Sequence, residues 1–219
     1  FYIDIEYDIV HPYLLDINKL NQNIFFREKK LLVIRTKENN DYYGIIDKVI
    51  KNKLGRTLSA DEENVVIMYN NRVFKLYNLE NFSDNNFNRN INEAFIGLFG
   101  INKLRESIPN FALIYDIIFN IECFTLKNFD SGMCGCIIYE YIEGDTINIF
   151  TLKSNLNDFI LVIKQLIFSL YEANILIKFT HFDLHPRNIV VKKSPEGIDA
   201  IYKNLNITIN SKYIPVIID

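Results

Sequence analysis

The sequence predicts an α+β protein with two lobes. Apolar segments with strand character dominate the first part of the chain, and one helical segment lies among them. The second part contains a long segment, residues 156–174, whose apolar side chains recur with the 3.6-residue period of a core-facing helix. Strands and helices that are segregated along the chain favour an α+β fold over an alternating α/β fold. A length of 219 residues suits two small lobes.

The first lobe is predicted to be mainly strands. Residues 31–34 and 43–50 are apolar enough to be strands, and the polar stretch 51–63 follows with its single glycine, Gly55. Residues 65–69 and 72–77 flank an Asn-Asn pair, which predicts a β-hairpin. Helical spacing begins near Ile91 and continues in a second piece to residue 106, before Pro109.

The second lobe is predicted to follow a hinge at Gly144. Two strands, residues 111–119 and 136–142, come before it. After the 156–174 helix, residues 189–191 and 216–218 read as short strands that flank a polar connection. We therefore divide the chain into residues 1–44, an N-terminal extension or cut edge of the first lobe; 45–142, the first lobe; and 143–219, part of the second. Because the chain opens on Phe1 and stops within an apolar strand, we expect it to be a fragment.

Composition excludes several classes of protein and partner. A hydrophobic share of 49% is too high for a disordered chain, and a net charge of −3 provides no basic field for nucleic acid. The apolar residues 159–170 are interrupted by Lys164 and Gln165 and are too few to span a membrane, so we expect no membrane partner. The three cysteines, Cys123, Cys134 and Cys136, form no Cys-x-x-Cys pair, which favours reduced thiols and a cytoplasmic location.

The most specific segment for chemistry is residues 180–189, Thr-His-Phe-Asp-Leu-His-Pro-Arg-Asn-Ile. Polar groups set between an apolar helix and an apolar strand cost free energy unless they are hydrogen-bonded or used. Asp183 can accept a proton from a hydroxyl, and Asn188 offers a neutral oxygen to a hard cation. With Asp219 as a second carboxylate, these groups predict a phosphoryl-transfer site for a magnesium nucleotide.

This run resembles the catalytic loop of the protein-kinase-like superfamily, His-Arg-Asp-Leu-Lys-Pro-x-Asn. Other landmarks follow in the expected order: Val73-Phe74-Lys75 resembles the family's Val-x-Lys strand, and residues 139–144 resemble the segment that joins the lobes. Residues 216–219 resemble the strand that enters the Asp-Phe-Gly motif. The resemblance implies a bilobal fold with an antiparallel N-lobe sheet, a helix C and a mainly helical C-lobe. The style of the chain is similar to kinase-like proteins of large DNA viruses, which implies the host cytoplasm or the virion.

The resemblance also implies a role for each matching residue. Lys75 would hold the ATP phosphates and pair with Glu93, while Asp183 would deprotonate the acceptor hydroxyl. Asn188 and Asp219 would bind Mg²⁺. The remaining implied nucleotide contacts are Gly55, the Glu140 carbonyl, the Ile142 N–H and Asp145. The implied activity is that of an ATP-dependent serine/threonine protein kinase, with a protein as substrate.

Three departures from the family pattern leave alternatives open. The Gly-x-Gly-x-x-Gly loop is missing, so Gly55 could be a plain turn glycine and the chain a pseudokinase scaffold without turnover. Phe182 replaces an Arg, and His185 replaces a Lys. An Asp-Leu-His-Pro run is also similar to aminoglycoside and choline phosphotransferases, which favours a small-molecule acceptor. Whichever alternative holds, we expect these 219 residues alone to be inactive.

Overall fold

The computed structural model describes residues 2–4, 32–35, 42–60, 64–78, 93–105, 107–123 and 132–218. The chain divides into two compact units. Unit 1 comprises Phe1–Phe99 and Ile114–Tyr141, and unit 2 comprises Gly100–Leu113 and Ile142–Asp219. Strands and helices occur in both units, so the fold is mixed α+β as predicted.

Unit 1 is built on a seven-stranded sheet. Its strands are β1 (Tyr2–Asp4), β2 (Leu32–Arg35), β3 (Arg56–Ala60), β4 (Asn64–Tyr69), β5 (Arg72–Asn78), β6 (Ile114–Glu122) and β7 (Met133–Glu140). They are arranged in the order β1-β2-β6-β7-β5-β4-β3. The β1–β2 pair is parallel, and all other neighbours in this sheet are antiparallel. The predicted strands 111–119 and 136–142 are confirmed as β6 and β7, although the ends of both are shifted.

The predicted hairpin is confirmed as β4 and β5. Asn70 and Asn71 form its turn with φ values of 47° and 59°, the left-handed conformation that Asn tolerates better than most residues. Two successive positive φ values match the twist of the flanking strands, so the turn fixes their pairing. In this register Val66 lies opposite Lys75.

Residues 43–50, predicted as a strand, belong instead to helix α1 (Tyr42–Asn52). Its buried residues Ile46, Val49 and Ile50 recur at helical spacing, and they pack in one core cluster with Phe74 and Leu76 of β5. The β-branched residues that suggested a strand are tolerated in this helix because its apolar stripe is buried against the sheet.

A second helical segment precedes β6. Residues 93–95 are helical, a π-helix spans Ile96–Ile101, and helix α2 (Asn102–Arg105) follows. The predicted helical region is thus confirmed over residues 93–105. Gly97 allows this segment to approach β6, because an added Cβ would lie 1.9 Å from Ile114 Cδ1.

The expectation that all three cysteines are reduced is wrong for two of them. Cys123 and Cys134 form a disulfide with a Cα–Cα distance of 6.0 Å. They meet because β6 and β7 are antiparallel neighbours, with Ile121 opposite Cys134. Cys136 remains a buried free thiol, and burial, followed by the charge of Asp116, raises its pKa well above the usual range.

Unit 2 combines helix α2 with a three-stranded sheet and two further α-helices. The strands are β8 (Asp145–Thr146), β9 (Ile189–Tyr202) and β10 (Ile207–Ile217), in the order β10-β9-β8. The further helices are α3 (Ile147–Lys153) and α4 (Leu156–Ile177), and short 3₁₀ turns span Pro186–Asn188 and Lys203–Leu205. The strands predicted at 189–191 and 216–218 are confirmed within β9 and β10, the second as far as Ile217. The prediction of a polar connection between them is wrong, because both strands continue through it and pair as one long antiparallel hairpin.

Helix α4 confirms the helix predicted from apolar spacing. Asn155 caps it by accepting a hydrogen bond from the Asp158 N–H at 3.0 Å. Val162, Leu166 and Ala173 lie in the main core of unit 2. By length and composition α4 could also cross a membrane, a property that core helices of soluble proteins share. The expectation of no membrane partner stays a prediction.

Candidate functional site

Lys75 and Glu93 form an ion pair in unit 1. Lys75 Nζ lies 2.7 Å from Glu93 Oε1, and the two side chains are only 14% and 24% exposed. The pair joins the middle of β5 to the first described residues of the helical segment. A charged pair held away from bulk water is screened less than a surface pair, so its geometry constrains both partners. The structure thus brings together the two residues that the resemblance paired.

Tyr139 of β7 also contacts this pair, and sequence reasoning missed it. Its hydroxyl donates a hydrogen bond to Oε1 of Glu93, the same oxygen that Lys75 contacts. Tyr139 lies opposite Val73 in the β5–β7 register, which makes it a diagonal neighbour of Lys75 on one face of the sheet. The contact between Tyr139 and Glu93 could be inferred from the sequence only if the pairing of β5 with β7 were already known.

Tyr77 is buried near the same carboxylate. Burial raises its pKa well above the usual value, and the nearby Cys136 and Glu93 add to the effect. Among the described residues its hydroxyl has no hydrogen-bond partner. Gly135, directly opposite on β7, leaves room for the ring, because a Cβ there would lie 2.2 Å from a ring carbon of Tyr77.

The Asp183 loop in unit 2 is held by its own polar groups. The Asp183 N–H donates to His181 Nδ1 at 3.3 Å, and the Arg187 N–H donates to His185 Nδ1 at 3.2 Å. Asn188 Nδ2 donates to the Asp183 carbonyl at 3.2 Å, although the two residues are five positions apart. Asp183 itself is exposed, so its carboxylate is available to an acceptor hydroxyl while its backbone is fixed.

Of the two predicted magnesium ligands, only Asn188 lies within the described residues; Asp219 lies outside them. Asn188 is 8% exposed, and its Nδ2 is used in the loop, so Oδ1 is the atom left for a hard cation. No cluster of three or more His, Cys, Asp or Glu is found in the described part of the chain. An amide oxygen fits Mg²⁺, which usually takes one or two protein ligands besides water and phosphate oxygens.

The predicted adenine-binding residues lie where β7 ends. Glu140 is opposite Arg72 in the unit 1 sheet, and Ile142 is buried in unit 2 beside Val190. Asp145 starts β8, and its Oδ2 lies 2.8 Å from Lys153 Nζ in a pair that is about half exposed. Such a surface pair contributes little to stability, so it leaves Asp145 open to other contacts. The nucleotide roles of these residues stay predictions.

Two glycines singled out in the sequence have local structural reasons. Gly55 adopts φ +91° between α1 and β3, and a Cβ there would lie 2.6 Å from the Met68 carbonyl oxygen. A Cβ on Gly144 would lie 2.3 Å from the Val191 carbonyl oxygen of β9. Close backbone approach therefore accounts for glycine at both positions, and a nucleotide contact of Gly55 stays a prediction.

No known protein-family model matches the chain. Three viral proteins are similar to it in part. Uncharacterized protein 179R of Invertebrate iridescent virus 6 is 32% identical over 142 residues, which cover 59% of this chain and 11% of that protein. Uncharacterized protein 035R of Invertebrate iridescent virus 3 is 29% identical over 153 residues, 59% of this chain and 14% of the relative.

The third relative is named Probable kinase 098L, from Invertebrate iridescent virus 3. It is 29% identical over 85 residues, which cover 38% of this chain and 16% of the relative. The chain therefore spans less than one fifth of the length of each of these relatives. The viral source of all three and the name of the third agree, at that coarse level, with a kinase-like protein of a large DNA virus.

Proposed function

We propose that the chain is part of an ATP-dependent phosphotransferase, and that its acceptor is a serine or threonine hydroxyl of a protein. The observation that carries the proposal is the Lys75–Glu93 pair at 2.7 Å. A lysine on the third of three consecutive antiparallel strands, paired with a glutamate of the following helix, is the arrangement that protein kinases use to hold ATP phosphates.

The Asp183 loop of unit 2 supports the same proposal. An exposed carboxylate on a backbone that Asn188 and His181 hold in place is suited to orienting and deprotonating a hydroxyl. Asn188 Oδ1 would hold a magnesium ion, with Asp219 as the second protein ligand in the proposal. Bound Mg²⁺ would neutralise charge on the phosphates, and Lys75 would add a fixed positive charge.

One detail of the loop removes the argument for a small-molecule acceptor. His185, whose presence in place of Lys suggested aminoglycoside or choline phosphotransferases, caps the 3₁₀ turn Pro186–Asn188 through its Nδ1. This local role accounts for the histidine without a small-molecule acceptor. The similarity to a protein named a probable kinase supports phosphotransfer in general.

The test is nucleotide binding followed by transfer, in the longer protein to which we propose this chain belongs and in its Lys75→Met variant. Titration of Mg-ATP should raise the melting temperature of the wild type, since a ligand at 100 times its Kd adds about 2.7 kcal/mol of stability. Lys75→Met should lose most of that shift. Lys48→Met, an exposed lysine of α1, is the matched control and should keep it.

Transfer is then followed with γ-labelled ATP and two acceptor sets, Ser/Thr peptides and a panel of aminoglycosides and choline. Label on peptides supports the protein kinase proposal. Label on the small molecules alone would replace it with the small-molecule alternative. A melting temperature that does not respond to Mg-ATP would leave the scaffold as the surviving explanation and would overturn the proposed function.

A further inference from the structure

Among the described residues, Glu93 Oε1 is contacted by both a charged donor and a neutral one. Lys75 Nζ lies 2.7 Å away, and the Tyr139 hydroxyl donates to the same atom. The proposed function uses the lysine and the carboxylate but gives the tyrosine no role. A buried hydroxyl directed at the oxygen that holds a functional lysine is a candidate for a role of its own.

Tyr139 is buried on an interior strand of the unit 1 sheet. Its side chain is 7% exposed, and it lies on a strand paired on both sides, with β5 and with β6. Lys75 lies on the neighbouring strand β5, while Glu93 belongs to a separate helical segment. The hydroxyl therefore links Glu93, on its separate helical segment, to the same sheet that carries Lys75.

Two donors on the same oxygen restrict the rotation of the Glu93 carboxylate. A carboxylate that accepts only from Lys75 can turn about its last side-chain bond and carry the ammonium with it. A second donor on the same oxygen removes much of that freedom, and hydrogen bonds to charged groups are stronger than those between neutral groups. Lys75 then needs no reordering when a phosphate arrives, which is how preorganised charge improves binding.

We propose that Tyr139 is a positioning residue: its hydroxyl fixes the Glu93 carboxylate and thereby orients the Lys75 ammonium toward the phosphates of the nucleotide. This inference rests on the proposed function. It predicts that loss of the Tyr139 hydroxyl lowers affinity only for ligands that carry phosphates, since adenosine has no phosphate for Lys75 to contact. Tyr139 need not touch the nucleotide itself.

The test compares Mg-ATP and adenosine binding by calorimetry in the longer protein to which we propose this chain belongs. Tyr139→Phe should raise the Kd for Mg-ATP by roughly threefold to tenfold, less than the loss of a charge-assisted hydrogen bond made directly to the ligand, because the tyrosine acts through Glu93. The Kd for adenosine should stay within about twofold. Tyr69→Phe makes the same chemical change on β4 and should alter neither value. In a Glu93→Ala background, Tyr139→Phe should add no more than about twofold for Mg-ATP, because the tyrosine acts through the carboxylate.

Each result decides the inference. Equal weakening of Mg-ATP and adenosine by Tyr139→Phe, an undiminished effect in the Glu93→Ala background, or no effect at all would each overturn it while the proposed function stands. A wild type that binds neither ligand would instead show that the proposed function has failed, and the role of Tyr139 would fall with it. The two failures are distinguished by the wild-type titration alone.

Discussion

The Tyr202 hydroxyl donates a hydrogen bond to Asn110 Oδ1 at 2.9 Å, although the residues are 92 positions apart in the chain. Both groups are buried, and Asn110 Nδ2 donates in turn to the Pro215 carbonyl at 2.8 Å. Gln165 of α4 offers its carbonyl oxygen to the same hydroxyl at 3.2 Å. Tyr202 thus joins β9 to α4 and to the segment before β6, and Asn110 extends the connection to β10 within unit 2.

Two conservative substitutions should have opposite outcomes. Tyr202→Phe removes a used donor and leaves Asn110 Oδ1 unsatisfied, so we expect a loss of about 1–3 kcal/mol in the free energy of unfolding. Tyr77→Phe removes a buried hydroxyl without a partner among the described residues, so we expect no loss and a gain of up to about 1 kcal/mol. Urea denaturation measures both, and a larger loss for Tyr77→Phe than for Tyr202→Phe would contradict the bonding described.

The same two tyrosines predict a loss of stability in alkali. Burial raises the pKa of Tyr77 and of Tyr202 above the usual 10.0, with nearby Glu172 adding to the shift of Tyr202. In the unfolded chain they ionise near pH 10, while in the native protein they keep their protons. The unfolded state then binds fewer protons, so stability falls as the pH rises above 10.

The expected slope is at most about 1.4 kcal/mol per pH unit for each tyrosine. Urea denaturation at pH values below and above 10 gives the slope for the wild type, and each Phe variant should show a shallower one. Below pH 10 the two residues should contribute no slope. An unchanged slope in both variants would mean that other groups cause the alkaline loss.

Gly144→Ala should destabilise the protein more than Gly97→Ala. The new Cβ at position 144 would lie 2.3 Å from the Val191 carbonyl oxygen, which is backbone and cannot move without disturbing β9. At position 97 the nearest atom is Ile114 Cδ1, the tip of a side chain that can rotate. We expect about 1–3 kcal/mol for Gly144→Ala and less for Gly97→Ala. Thermal denaturation of the two variants provides the comparison, and equal losses would rule out the close approach to β9 as the cause.

Asp183→Asn should abolish transfer and spare binding. Removing a proposed general base costs roughly a hundredfold to ten-thousandfold in kcat, while Asn keeps the shape of the side chain and the backbone bonds of the loop. Asp199→Asn, on the exposed part of β9, is the matched control and should leave kcat unchanged. The measurement is label transfer together with the Kd for Mg-ATP. Full activity in Asp183→Asn would show that another group acts as the base.

The elements predicted well from the sequence are those whose own side chains show the pattern. The β4–β5 hairpin carries its turn residues, and α4 carries a long apolar stripe. Helix α1 was missed because short runs of Ile and Val suit either structure, and only packing against the sheet decides between them. The β9–β10 hairpin was missed because its outer part is exposed, so its residues alternate little although its backbone pairs.

The contacts of the candidate site also differ in how far the sequence predicts them. Lys75 and Glu93 could be paired from the sequence because a family pattern links them across 18 residues. Tyr139 could not, because its contact with Glu93 depends on the β5–β7 register, which no local pattern contains. The Cys123–Cys134 disulfide depends likewise on the pairing of β6 with β7.

The turn at Asn70 and Asn71 has a consequence for how this chain tolerates insertions and deletions. Side chains alternate between the two faces of β5, so a shift of one residue in its pairing would exchange Lys75 for Phe74 or Leu76 at the carboxylate of Glu93. A single-codon deletion in this exposed turn is therefore expected to break the Lys75–Glu93 pair, although neither asparagine belongs to that pair. Changes in loop length, usually harmless on a protein surface, are therefore expected to be poorly tolerated at this turn.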